Sequence, residues 1–158
     1  MLEHYAQDLP YGGAVKNGLL FEGGDYLSCD AGDMMSPDQL RTFGIPYTQR
    51  ICRAWHSAFL HHHELGIHQV PTWTECEGLT VQSLNRDPNT QHLAQEMPEE
   101  VLACSRRMPV GFIALYDEFM ERAQEWAEGR FVVAVRCDDR DQADDVLRLA
   151  ESCRGYCS

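Results

Sequence analysis

Short apolar runs of strand length recur along the chain, and most are followed by stretches with apolar residues at helical spacing. Tyr26-Leu27-Ser28-Cys29 is the first strand-like run, and it ends in the turn Asp30-Ala31-Gly32-Asp33. Ser36 then reads as a helix N-cap with Pro37 as the first helical residue. Leu40, Phe43, Tyr47, Ile51 and Trp55 follow at helical spacing, and Pro46 is expected to kink or split that helix. The second strand is Ser57–His63, with a short helix from near His68 to about Cys76. The third is Leu79–Leu84, closed by Asn85-Arg86-Asp87-Pro88. Residues 89–100 read as a long loop, with a short helix around Glu99–Ser105. Val110 to Glu128 reads as one strong helix, with Phe112, Leu115, Phe119, Ala123 and Trp126 on a single stripe and Gly129 as its C-cap. Phe131–Arg136 is a continuous β-branched run, as expected of a parallel strand buried on both faces. Asp139 or Asp141 opens the last helix, whose apolar stripe is Ala143, Val146, Leu147 and Ala150.

Alternating β and α units imply a parallel sheet with right-handed crossovers. The pattern predicts about four parallel βα units over residues 25–158, preceded by an irregular, glycine-rich lead-in over residues 1–24, all within a single domain. A chain of 158 residues is too short for a complete (βα)₈ barrel, which needs roughly 250. The 25 acidic residues outnumber the 13 basic ones, which argues against a nucleic-acid phosphate backbone as partner. No apolar run reaches the length of about 20 residues that a membrane-spanning helix needs, and Met1–Pro10 lacks an apolar signal core. Seven cysteines, an odd count without an export signal, read as reduced thiols in the cytoplasm.

The segment Gly24–Leu40, with Ser36-Pro37 at the helix start and Pro46-Tyr47 about ten residues on, resembles the fifth strand and following helix of the uroporphyrinogen decarboxylase-like superfamily. His61-His62-His63-Glu64 stands where that superfamily's next strand ends in a His followed by Gly. Phe131–Glu151, with Ala143 early in the helix, resembles its final unit. The resemblance covers about residues 22–152 and has no counterpart for strands one to four. It implies the C-terminal half of a TIM-type (βα)₈ barrel.

Candidate chemistry gathers at the strand ends, where barrel active sites are built. His61 and His63 share one strand face because side chains alternate. Cys137 follows the last strand at the same end. Two imidazoles and a thiolate suit zinc with an open fourth position. The resemblance matches His61 and Cys137 to ligands of the methyltransferases that pass a methyl group from methylcobalamin to a thiol, with His63 replacing a Cys. Asp30, Glu64, Asn85 and Asp87 are expected to bind substrate, Glu64 with the alternative of supporting the metal. A metalloprotease motif fails, because His63-Glu64 followed by His68 is one residue too long for H-E-x-x-H.

The reading that follows is a zinc-dependent methyltransferase with a corrinoid donor, presented by a separate corrinoid protein. A porphyrinogen decarboxylase-like enzyme and a non-catalytic truncated barrel subunit are the alternatives. Unpaired edge strands and an open barrel interior predict a homodimer, or a partner chain that supplies the missing half.

Overall fold

The computed structural model describes residues 13–16, 19–22, 24–55 and 57–153. Strands β1 (Gly13–Lys16) and β2 (Leu19–Glu22) form an antiparallel pair, with Gly13 opposite Glu22 and Lys16 opposite Leu19. The expected irregular lead-in therefore carries a small sheet of its own; residues 1–12 of it lie outside the described residues. Five further strands make one all-parallel sheet in sequential order: β3 (Gly24–Ser28), β4 (Ser57–His63), β5 (Leu79–Asn85), β6 (Val110–Leu115) and β7 (Phe131–Arg136).

Strand β6 corrects the expectation of a single helix over 110–128. Its apolar run is continuous, and over six residues a continuous run fits a buried strand as well as a helix face. Tertiary pairing decides: Val110 lies beside Gln82 of β5 and Phe131 of β7. Helix α5 begins only at Tyr116 and runs to Trp126, its first turn tied by the Leu115 N–H to Glu118 Oε2 at 2.8 Å.

The helix after β3 also departs from the expected pattern. Ser36 caps it as expected, accepting from the Gln39 N–H while Gln39 Oε1 accepts from the Ser36 N–H. The helix then passes from α1 (Pro37–Gln39) through a π-turn (Leu40–Gly44) into α2 (Ile45–Ala54). The wider turn rotates the residues after it relative to an unbroken α-helix. Leu40, Ile45 and Cys52 reach the core, while Phe43, Tyr47, Ile51 and Trp55 stay 64%, 62%, 43% and 44% exposed. Beyond β4 the chain takes a 3₁₀ segment (Glu64–Gln69) and α3 (Val70–Trp73), then later α4 (Glu99–Ser105) and, after β7, α6 (Arg140–Cys153). Asp139 caps α6 by accepting from the Gln142 N–H at 2.9 Å.

All the helix packing falls on one face of the sheet. Leu60, Leu84, Val110, Phe112 and Val133 point into it and join two apolar clusters, one with Leu40, Ile45, Cys52 and Trp73, the other with Phe119, Ala123 and Trp126. Phe59, Val81, Ile113 and Val132, on the opposite face, belong to neither. The result is an α/β layer pair, with His61 and His63 on the sheet face opposite the helices. No helix among the described residues is long and apolar enough to cross a membrane.

Phe112 is 2% exposed and sits edge-on to Trp126 and Phe131, with ring centroids at 5.0 and 5.6 Å. Truncating it to Ala is expected to lower unfolding free energy by about 3–5 kcal/mol, whereas Phe43→Ala changes it by less than about 0.5 kcal/mol. Urea denaturation midpoints report both; equal effects would contradict this packing.

Candidate metal centre

The site forms where β3 and β4 end together. Ser28 pairs with His61, and the Cys29 N–H donates to the His61 carbonyl at 3.1 Å. A 3₁₀ turn, Asp30–Met34, then carries Asp30 beside the end of β4. His61 and His63 project from the same face, as alternation requires, with their rings edge to face at 5.1 Å. Tyr26 stacks beneath them on Phe59 and His61. Asp30, His61 and His63 each offer one ligand atom, and those atoms all lie within 4.8 Å of one another. His63 Nε2 is 3.7 Å from Asp30 Oδ1, which also accepts from the Ser28 hydroxyl at 2.9 Å. An ion with bonds of about 2.1 Å holds neighbouring donors roughly 3.0–3.4 Å apart, so small side-chain rotations close the set. Two imidazoles and a carboxylate are suitable donors for a divalent transition metal.

The supporting contacts fix how the donors are presented. Asp87 Oδ1 lies 2.7 Å from His63 Nδ1, and its Oδ2 accepts from the Leu65 N–H at 3.2 Å. A carboxylate accepts, so Nδ1 carries a proton, and Nε2, which faces Asp30, is the nitrogen that a metal would take in place of its proton. A carboxylate behind a ligating imidazole is the usual way a metal-binding His is oriented. The Asp87 hydrogen bond raises the His63 pKa; burial works against it, and the charges of Asp87, Asp30 and Asp33 add to the rise. The site therefore favours a positive charge at its centre.

Asp33 holds this end of the sheet from behind. Its Oδ2 accepts from the His63 N–H at 2.9 Å, and its Oδ1 lies 3.2 Å from His62 Nδ1. His62 faces the helix side and is fully buried, so the three consecutive histidines divide between two faces. A Cβ on Gly66 would fall 1.8 Å from Asp33 Oδ1, which reserves that position for glycine.

The other expected site residues take different places. Asn85 stands in register with His63 on the same face. Asp87, expected to bind substrate, hydrogen-bonds the His63 ring. Glu64 is 2% exposed and turns inward, where Oε2 meets His92 Nδ1 at 2.5 Å and Oε1 accepts from the Leu93 N–H. Burial pushes its carboxyl up, opposed by His92, the Leu93 N–H and Arg86. Cys137 is not brought to the donor group. It follows β7, three strand positions from β4, roughly 14 Å across a sheet, and Asp30 stands as the third donor in its place.

The loop after β5 is held against α5 by Arg86, whose guanidinium forks onto Glu118 at 2.6 and 2.9 Å, with Gln95 adding a bond at 2.9 Å. Sequence reasoning identified none of Asp33, His92 and Glu118. Only the Asp30-x-x-Asp33 spacing, which puts two acids in one turn, hinted at the first.

Burial of the Glu118 carboxyl works upward, but Arg86, the Leu115 N–H and Gln95 outweigh it and hold the group at about 2, against 4.5 when unperturbed. A depressed pKa stabilises the fold above the unfolded value, and that contribution disappears as pH falls toward the folded one. Glu118→Gln is expected to cost about 1–2 kcal/mol at pH 7, and the gap to the parent protein should shrink between pH 4.5 and about 2. Thermal unfolding across that range is the check; a gap that stays constant would contradict the assignment.

Comparison with protein-family models, with curated proteins and with solved structures gives no match, so what can be said of this site rests on its own residues.

Proposed function

We propose that the chain carries the metal centre of a barrel-type enzyme, in which a divalent ion held by His61, His63 and Asp30 activates a substrate heteroatom as a Lewis acid. The observation that carries this reading is the convergence of those three donors at the C-terminal end of a parallel sheet, with Asp87 behind His63. We read the sheet as part of a TIM-type (βα)₈ barrel resembling the uroporphyrinogen decarboxylase-like superfamily. Sequential parallel order, helices on one face and donors at the strand ends support that reading. Zinc is the ion that the resemblance implies. When bound, such an ion lowers the pKa of a coordinated water or thiol and stabilises the resulting anion. The chain's own residues orient and exclude: Asp87 fixes the His63 tautomer, Asp33 anchors the end of β4, and Tyr26 and Phe59 close the site from below. Methyl transfer from a corrinoid to a thiol rests on the resemblance alone, because the thiolate ligand it calls for, Cys137, stands apart from the donors.

Isothermal titration of chelator-treated protein with Zn²⁺ is expected to give one ion per chain. The ion must displace the proton that the raised His63 pKa retains, so affinity should climb as pH rises through that titration. Asp87→Asn should weaken binding about 10–100-fold, and Cys137→Ser should leave it unchanged. Loss of binding in Cys137→Ser, with none in His63→Ala, would overturn the assignment.

The reading extends to a partner. The helix after β3 has two apolar faces: Leu40, Ile45 and Cys52 pack on the sheet, while Phe43, Tyr47, Ile51 and Trp55 form an exposed stripe spaced four residues apart. An exposed apolar stripe of that kind marks an interaction surface. We propose that a second copy, or a chain supplying the remaining βα units, packs there. Sedimentation at micromolar concentration should show a species larger than 18.0 kDa, shifted toward monomer by Tyr47→Lys with Ile51→Glu. A parent protein that sediments as a monomer, alone and with candidate partners, would contradict this.

A further inference from the structure

The three donors approach from one side. Asp30 comes from the turn after β3, and His61 and His63 come from β4; β5, β6 and β7 contribute none. Zinc held by three protein donors keeps a fourth position open and can expand to five, so two further positions are available to a ligand. The wall next to those positions follows from register. Ser83 stands beside His61 and Asn85 beside His63, both on the face that carries the imidazoles. Neither side chain has a hydrogen-bond partner among the described residues. Gly111 is the residue next to Ser83 on β6, and a Cβ there would press on Ser83 Oγ at 3.2 Å, so glycine leaves the hydroxyl uncovered. The site thus combines adjacent open positions with two uncommitted polar groups alongside them.

We infer that the open side takes a bidentate oxygen chelator of the 2-oxo- or 2-hydroxycarboxylate class. Two of its oxygens bind the ion, and its outer carboxylate oxygen accepts hydrogen bonds from the Ser83 hydroxyl and the Asn85 amide. The chemistry favours oxygen because two imidazoles and a carboxylate make a harder donor set than one containing thiolate. It favours an acceptor beside the ion because the Ser83 hydroxyl and the Asn85 amide can each donate, while Asp30, Asp87 and Asp33 already offset the charge of the ion. This inference rests on the metal-centre reading and adds the class of ligand.

Cobalt(II) loaded into chelator-treated protein tests both levels, because its visible bands report ion binding and any later change of ligands. Oxalate serves as the rigid chelating probe and acetate as the single-site comparator. Oxalate is expected to shift the bands at a concentration about tenfold or more below that needed with acetate, with cobalt retained by the protein on dialysis. The double variant Ser83→Ala, Asn85→Ala should bind cobalt as before and require about 5–10-fold more oxalate, the effect of losing one or two hydrogen bonds. Failure of cobalt to bind, or binding that survives His63→Ala, would overturn the metal-centre reading. Cobalt bound normally, with oxalate no better than acetate, with cobalt stripped by oxalate, or with the double variant unaffected, would overturn the chelator inference alone.

Discussion

A buried carboxylate must be paired or hydrogen-bonded, and Asp33 meets that demand by gripping the end of β4. One oxygen takes the His63 backbone and the other faces the His62 ring. Because Asp33 belongs to the same short turn as Asp30, this grip also sets where Asp30 stands relative to His61 and His63. Gly66 leaves room for it, and Asp87 completes the arrangement from the loop after β5. Without Asp33 at the strand end, neither the turn nor the imidazole face would be held, and the three donors would have no shared centre.

Much of the fold was legible because local signals and tertiary demands agreed. Ser57–His63 and Phe131–Arg136 are strands with the bounds that their patterns suggest, and Ser36-Pro37 starts a helix by the expected reciprocal cap. The failures have separate causes. Val110–Leu115 runs without a break into the apolar stripe of α5, so only the neighbouring strands could distinguish strand from helix. The π-turn over Leu40–Gly44 moved Phe43, Tyr47, Ile51 and Trp55 out of the core; Pro46, two residues on, marked a break in the helix but not its kind. The hairpin of β1 and β2 had a usable signal. Its strands are separated by Asn17-Gly18, the dipeptide most favoured in two-residue hairpin turns.

The candidate site was legible to the same depth. Strand alternation alone puts His61 and His63 on one face, and Asp30 ends the preceding strand. The displacement of Cys137 follows from the missed strand: with β6 counted as helix, β7 would lie two positions from β4 rather than three. The roles of Asp87, Asp33 and Glu64 depend on which way each side chain turns from a loop, and spacing does not encode that. Asp87 turns toward the histidine face, while Glu64 turns inward onto His92.

Where the ion sits decides whether Asp30, His61 and His63 form a metal centre. A crystal structure of zinc-loaded protein, with anomalous scattering collected on both sides of the zinc edge, addresses this directly. The account predicts a single anomalous peak with zinc–nitrogen distances of about 2.0–2.1 Å to His61 and His63 and about 2.0–2.2 Å to an Asp30 oxygen, with Asp87 still on His63 Nδ1. A peak at Cys137, or an empty Asp30–His61–His63 group in crystals where zinc is bound elsewhere, would contradict it.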